Sequence, residues 1–189
     1  MDYYYPLSKE WTQDWAEKFI PLYEYLVRNP SKCKYINYKY VCFSEHSKSL
    51  VKKFPFIKDI PNFDYKDESM YFAFLTLNGK NKKSWTPHID PDNTKWDITL
   101  PLLNCTNETI TTWLDPLEET RDIRGDETMQ VYTGEYKVLA KTSITDHALV
   151  LRSDILHKVD IMHDRDETRV VVKFFIPKLE LEDILKQVY

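Results

Sequence analysis

The chain predicts an α+β fold, mainly β, organised as a double-stranded β-helix (a jelly roll) with flanking N- and C-terminal helices. Three observations carry this. An apolar stripe at helical spacing stands near the N-terminus, a run of short strands fills Met70 to Ile176, and the last residues turn helical again. Many short strands divided by turn clusters are the pattern of a sandwich or roll.

Ser8 is placed to cap the first helix. After it Trp11, Trp15, Phe19, Leu22 and Leu26 recur on one face. Pro21 falls inside this stripe, which predicts a kink or a restart there, because proline lacks an N–H and crowds the preceding turn. Tyr35 to Phe43 alternates and is rich in aromatic and β-branched residues, so it reads as one strand. Glu45 to Phe54 reads as a short helix closed by Pro55 and Pro61. Met70 to Leu77 is an apolar strand stopped by Asn78-Gly79. Further strands are expected at Trp85 to Asp90, Lys95 to Leu102, Ile110 to Leu114, Met129 to Tyr132, Ala148 to Arg152, His157 to Ile161 and Thr168 to Ile176. Asp90-Pro91-Asp92-Asn93, Asp115-Pro116 and His163-Asp164-Arg165-Asp166 separate them, and the charged stretch Leu117 to Asp126 reads as a mobile loop. An amphipathic helix from Leu179 to Val188 closes the chain.

The length of 189 residues fits a single domain, 1–189, with N-terminal helices and a flanking strand over 1–69, the β core over 70–176 and the last helix over 179–189. A hydrophobic share of 42% with 14% aromatics sets the chain apart from disordered sequences. The net charge of -4, with Lys and Arg spread along the chain, gives no basic stripe, so nucleic acid is not indicated as a partner. No apolar run approaches the roughly 20 residues that cross a bilayer, and the first residues have no signal-peptide pattern. Cys33, Cys42 and Cys105 are odd in number and widely spaced, which points to a reducing compartment and predicts a cytoplasmic protein.

Against this background a few polar positions stand out. Trp85-Thr86-Pro87-His88-Ile89-Asp90-Pro91 carries a His-x-Asp, and His157 opens a later strand. Residues two apart in a strand project to the same side, so His88 and Asp90 point together. Two imidazoles and one carboxylate form a facial triad that leaves three sides of an octahedral metal open, an arrangement suited to non-haem iron. Arg169 follows on the next strand; Arg169, Val171 and Lys173 share one face, and Val170, Val172 and Phe174 take the other. An arginine facing an apolar interior needs an anionic partner, and its planar fork matches a carboxylate. His46, His147 and His163 lie in polar surroundings and are expected to be structural or solvated. Trp85, Trp96 and Trp113 fit either the mouth of the roll or its core.

The order His88-x-Asp90, His157, Arg169 resembles the 2-oxoglutarate/Fe(II)-dependent dioxygenases of the double-stranded β-helix type, over about half the chain. With Trp96 to Cys105 and Thr112-Trp113 it is similar to small phage and marine microbial oxygenase-like proteins. The resemblance implies that His88, Asp90 and His157 bind Fe(II) and carry catalysis, and that Arg169 binds the far carboxylate of 2-oxoglutarate. It implies hydroxylation of a small-molecule or peptide substrate with release of succinate and carbon dioxide. Many family members have a hydroxyl residue two after the arginine, where this chain has Val171. The second contact to the keto acid is then expected from Thr99 or Lys173.

Two other readings remain open at this stage. One is a cupin-like metalloenzyme that uses no keto acid, against which Arg169 speaks. The other is a catalytically silent binding module. The loops from Asn78 to Ser84, with Lys80, Lys82 and Lys83, and from Leu117 to Gly125 are expected to frame the entrance. Their composition names no substrate, and nothing in the sequence sets an oligomeric state.

Overall fold

The structure, a computed structural model, describes residues 2–36, 39–80, 84–90, 95–117, 121–123, 130–132, 134–177 and 180–188. Two antiparallel sheets face each other. The first contains β1 (Tyr4–Pro6), β2 (Lys34–Ile36), β3 (Lys39–Cys42), β4 (Tyr71–Asn78), β6 (Trp96–Leu103), β11 (Leu149–Arg152) and β13 (Thr168–Phe175), in the order β1-β11-β6-β13-β4-β3-β2. The second contains β5 (Ser84–Ile89), β7 (Thr109–Pro116), β8 (Arg121–Ile123), β9 (Gln130–Tyr132), β10 (Tyr136–Ser143) and β12 (His157–Ile161), in the order β10-β7-β12-β5-β9-β8. Helices α1 (Lys9–Arg28), α2 (Ser44–Leu50) and α3 (Leu181–Val188) flank the first sheet. The expected mainly β roll with flanking helices is what the chain forms.

Ser8 caps α1 as expected: its hydroxyl accepts from the Trp11 N–H at 3.1 Å. Thr12 binds the helix to the sheet, its hydroxyl donating to the Ser8 carbonyl and accepting from the Ala148 N–H, both at 2.8 Å. The helix runs unbroken through Pro21, contrary to the restart the proline suggested. Pro21 lies on the exposed face, while Trp15, Phe19, Leu22 and Leu26 are buried opposite, so packing carries the helix past the missing donor. Phe19 is fully buried and meets Phe72, Phe74 and Phe174 edge-on at centroid distances of 5.9, 6.0 and 5.4 Å.

Four other expectations need correction. Tyr35 to Phe43 is not one strand but contains two, β2 and β3, paired antiparallel; Tyr35 pairs with Tyr40, and rings on both preserve an alternation that hides the division. The short helix ends at Leu50 rather than Phe54; residues 51–53 form a turn, and a 3₁₀ turn follows over Pro55–Asp59, where Pro55 pre-sets the backbone. Arg121–Ile123, read as part of a mobile loop, is strand β8 paired with β9. Strands β1 and β10 are edge strands that sequence patterning missed. Residues 81–83, 91–94, 118–120 and 124–129 lie outside the described residues, and with them Lys82, Lys83, most of the Asp90–Asn93 turn and Met129. Lys80 is exposed and faces Asp166 at 3.8 Å. No helix among the described residues is long and apolar enough to cross a membrane.

The first sheet has two unlike faces. One side of its strands, with Phe72, Phe74, Ile98, Leu100, Val150, Val170, Val172 and Phe174, joins the α1 residues in the main core. The opposite side faces the second sheet. There Leu149 and Leu151 pack on Trp113, and Leu77 packs with Trp85 and Ile161. Between these apolar clusters the interior is polar.

Candidate metal centre

His88 lies near the end of β5 and His157 opens β12, and the two strands pair with these residues directly opposite each other. The ring centroids are 4.6 Å apart. Asp90 follows β5 and is held there by its N–H, which donates to the Ser153 carbonyl at 3.3 Å. Its two carboxylate oxygens stand 3.6 Å from His88 Nε2 and 3.7 Å from His157 Nε2. One ligand atom from each residue falls within 4.8 Å of the others, as a single cation requires. All three side chains are more than nine-tenths buried. Strand parity and chain order, read from the sequence, thus bring together the residues they singled out.

The imidazoles are oriented by the backbone. Nδ1 of His88 stands 2.6 Å from the Thr86 carbonyl, and Nδ1 of His157 stands 2.9 Å from the Ile155 carbonyl. Since a carbonyl only accepts, each Nδ1 carries the proton and each Nε2 presents a lone pair towards Asp90. Burial, with a contribution from His157, pushes His88 down to about 3, and burial likewise lowers His157. Both rings are therefore held neutral, the form that binds metal. This donor set fits a divalent transition ion: two neutral imidazole nitrogens and one carboxylate, buried, with fixed tautomers.

On the facing sheet, Lys173 reaches across to Asp90. Its ammonium donates to Asp90 Oδ2 and lies 2.9 Å from Asp97 Oδ2. Asp97 is fully buried; the Ser153 hydroxyl donates to its Oδ2, and the Thr99 hydroxyl donates to its Oδ1 at 3.0 Å. Burial would raise the Asp90 carboxyl, but Lys173 together with His157 and His88 outweighs it and holds Asp90 below the usual carboxylate range. Burial pushes Asp97 up to about 6, against the pull of Lys173. Burial would lower Lys173, and the two carboxylates more than reverse that, so it remains an ammonium.

Arg169 stands four residues before Lys173 on the same face of β13, about 13 Å away along the strand at 3.3 Å per residue. It is 4% exposed, and its Nε has no hydrogen-bond partner. The side chain that meets it is the Cys105 thiol, and no carboxylate pairs with it among the described residues. Burial lowers its pKa. Tyr71, stacked on Phe175 at 4.4 Å, lines the same face near Asp90, and burial pushes its phenol up to about 12.

The three tryptophans belong to the core. Trp113 is fully buried, with its Nε1 donating to the Arg152 carbonyl at 2.8 Å, and Trp85 and Trp96 are buried in clusters. His147 Nδ1 meets the Leu7 carbonyl at 3.0 Å, a structural contact as expected. Sequence reasoning missed Asp97 and Ser153. The parity that places Asp97 and Thr99 on one face was readable, but their meeting with Lys173 depends on β6 pairing with β13, which no local pattern reveals.

The sequence matches no protein-family model and no curated protein. Among solved structures, the chain is similar to the epimerase SnoN in complex with Fe3+, alpha ketoglutarate and nogalamycin RO, with a TM-score of 0.55 and 11% identity over 92% of this chain and 78% of that one. It is also similar to a mutant of Bacillus subtilis oxalate decarboxylase OxdC, with a TM-score of 0.36 and 10% identity over 75% of this chain. The match spans 26% of that oxalate decarboxylase chain. At 11% identity the likeness to SnoN shows the fold alone: a double-stranded β-helix, or jelly roll. Within that fold, this chain carries a His-Asp-His group able to hold a metal.

Proposed function

We propose that this chain is an Fe(II)- and 2-oxoglutarate-dependent oxygenase that hydroxylates a small-molecule or peptide substrate with release of succinate and carbon dioxide. One observation carries the reading: a buried His88–Asp90–His157 triad shares its interior with a buried guanidinium, Arg169, whose Nε has no hydrogen-bond partner and which no carboxylate pairs with among the described residues. An unpaired buried charge is costly, so a site that keeps one is built for a charged ligand. The SnoN structure, with iron and alpha ketoglutarate in the same fold, supports the pairing.

His88 Nε2, His157 Nε2 and a carboxylate oxygen of Asp90 would hold the ion. When bound, Fe(II) supplies what side chains lack, the activation of oxygen coupled to oxidative decarboxylation of the keto acid. Arg169 binds the far carboxylate of 2-oxoglutarate through its fork and so aims the keto acid along β13 towards the triad. Lys173, with three donors and two carboxylate partners, has one N–H to offer a ligand. Thr99 has given its only O–H to Asp97, so of the two expected second contacts Lys173 is the donor. The surrounding Leu77, Val171 and Leu149 keep water out.

A second reading is favoured by the contact of Lys173 with Asp90. An ammonium on a metal-ligand carboxylate can stand in for a cation, as in a silent cupin-like binding module. Anaerobic addition of Fe(II) and 2-oxoglutarate separates the two. The oxygenase gives the visible metal-to-ligand charge-transfer band and loses it in His157→Ala. Absence of the band in the wild type, or its survival in that variant, overturns the proposal.

A further inference from the structure

We propose that Asp97 is a positioning residue of the metal centre: it takes over the Lys173 ammonium when a divalent cation claims Asp90. This rests on the metal-binding reading and adds a residue that neither the motif nor the fold assigns.

Lys173 is shared. Its Nζ contacts Oδ2 of Asp90, a triad carboxylate, and Oδ2 of Asp97, which is not in the triad. A cation entering beside His88 and His157 competes with the ammonium for Asp90. If Asp90 were its sole partner, displacement would leave a buried ammonium unpaired, at a cost that opposes metal uptake. Asp97 removes that cost, because it lies 2.9 Å from Nζ already and receives the ammonium with little movement.

Asp97 is itself fixed for this task. Ser153 and Thr99 each donate a hydroxyl hydrogen to it, one to each carboxylate oxygen. Ser153 also ties this pair to the triad, since its carbonyl accepts the Asp90 N–H. Asp97 is fully buried and Lys173 is 6% exposed, so water offers neither an alternative partner. Two carboxylates around one ammonium are thus two stations, one that the metal vacates and one that it leaves occupied. Outer partners of metal ligands commonly set affinity in this way.

The test is a titration with Co(II) alone, followed by its visible d–d absorption, on the full chain. Asp97→Asn should bind Co(II) at least about 10-fold more weakly than the wild type, because the displaced ammonium loses its charged partner. Lys173→Met should bind more tightly, since the competing cation is gone. The double variant should bind like Lys173→Met, since without the ammonium Asp97 has nothing to receive, whereas a merely structural role for Asp97 would leave the double variant weakened. Unchanged binding in Asp97→Asn, or a double variant as weak as that single one, overturns the inference. Should Asp97→Asn not fold, Thr99→Val replaces it by removing a hydroxyl that fixes Asp97: weaker Co(II) binding supports the handover, and unchanged binding overturns it. A wild type that takes up no Co(II) overturns the metal reading itself, an outcome distinct from the others.

Discussion

The two faces of the seven-stranded sheet are made by the same strands and do opposite work. On the helix side of β13, Val170, Val172 and Phe174 join an apolar core beneath α1. On the inner side, one residue out of step, Arg169 and Lys173 are as deeply buried, in company with Asp97 and Thr99. The outer face gains free energy for every methylene withdrawn from water, while the inner face has taken charges out of water and recovers only part of that cost. The stability of one face lets the other hold a site that is electrostatically unfinished.

Changes that break the outer face should have the largest effect. Phe19→Ala removes the ring at the centre of the helix–sheet contact and is expected to cost about 3–5 kcal/mol in urea unfolding. Its folded fraction should still bind metal, because the triad sits on the other side of the sheet. Loss of metal binding in that folded fraction would show that the faces are coupled.

On the inner face the sign reverses. Arg169→Met replaces a guanidinium that has no carboxylate partner among the described residues by an apolar side chain of similar length, and should stabilise the ligand-free protein by about 1–4 kcal/mol. The same change should weaken 2-oxoglutarate binding while sparing the metal, as measured by the charge-transfer band at increasing keto acid. Destabilisation of the ligand-free protein would mean that the Arg169 charge is satisfied without a ligand.

The smallest effect concerns pH in the metal-free protein. Burial depresses His88 to about 3 and also lowers His157, so below 6.5 the unfolded chain binds more protons on these rings than the folded one. Stability should therefore fall as pH drops, by about 1 kcal/mol between pH 7 and 6 for the two imidazoles together. Asp97 acts in the opposite sense. Its folded value of about 6 lies above that of an ordinary carboxylate, so it binds protons more readily when folded and offsets part of the loss below pH 6. Thermal unfolding of the chelator-treated protein measures the slope, and a curve flat from pH 7 to 6 would contradict burial of neutral rings.

Where one face is apolar and the other mixed, sequence reports structure well. The stripe of α1 was readable because the helix buries one side, and β13 because an apolar face alternates with a mixed one although both are buried. Strand β10 was not, because both of its faces are largely exposed and Lys137 and Lys141 interrupt its apolar run, as is common on edges. Strand β1 is three residues ending in proline, too short for any pattern. The triad and Arg169 were legible from parity and order. Asp97 was hidden because its partners come from β11's end and β13, and a lone aspartate in a strand looks like any outward polar position until that pairing is known.

The pairing of His88 with His157 also bears on how the molecule is made. Strand β5 must wait for β12, which is synthesised far later, and β12 is clamped between β5 and β7. Contacts between such distant segments are slow to form and come late in folding. No partly folded chain that lacks this pair can offer the triad, so an ion that needs all three ligands binds only the finished topology and stabilises it by mass action. Metal uptake during refolding is then a clock: its signal should lag behind helix formation and appear together with the last long-range strand pair.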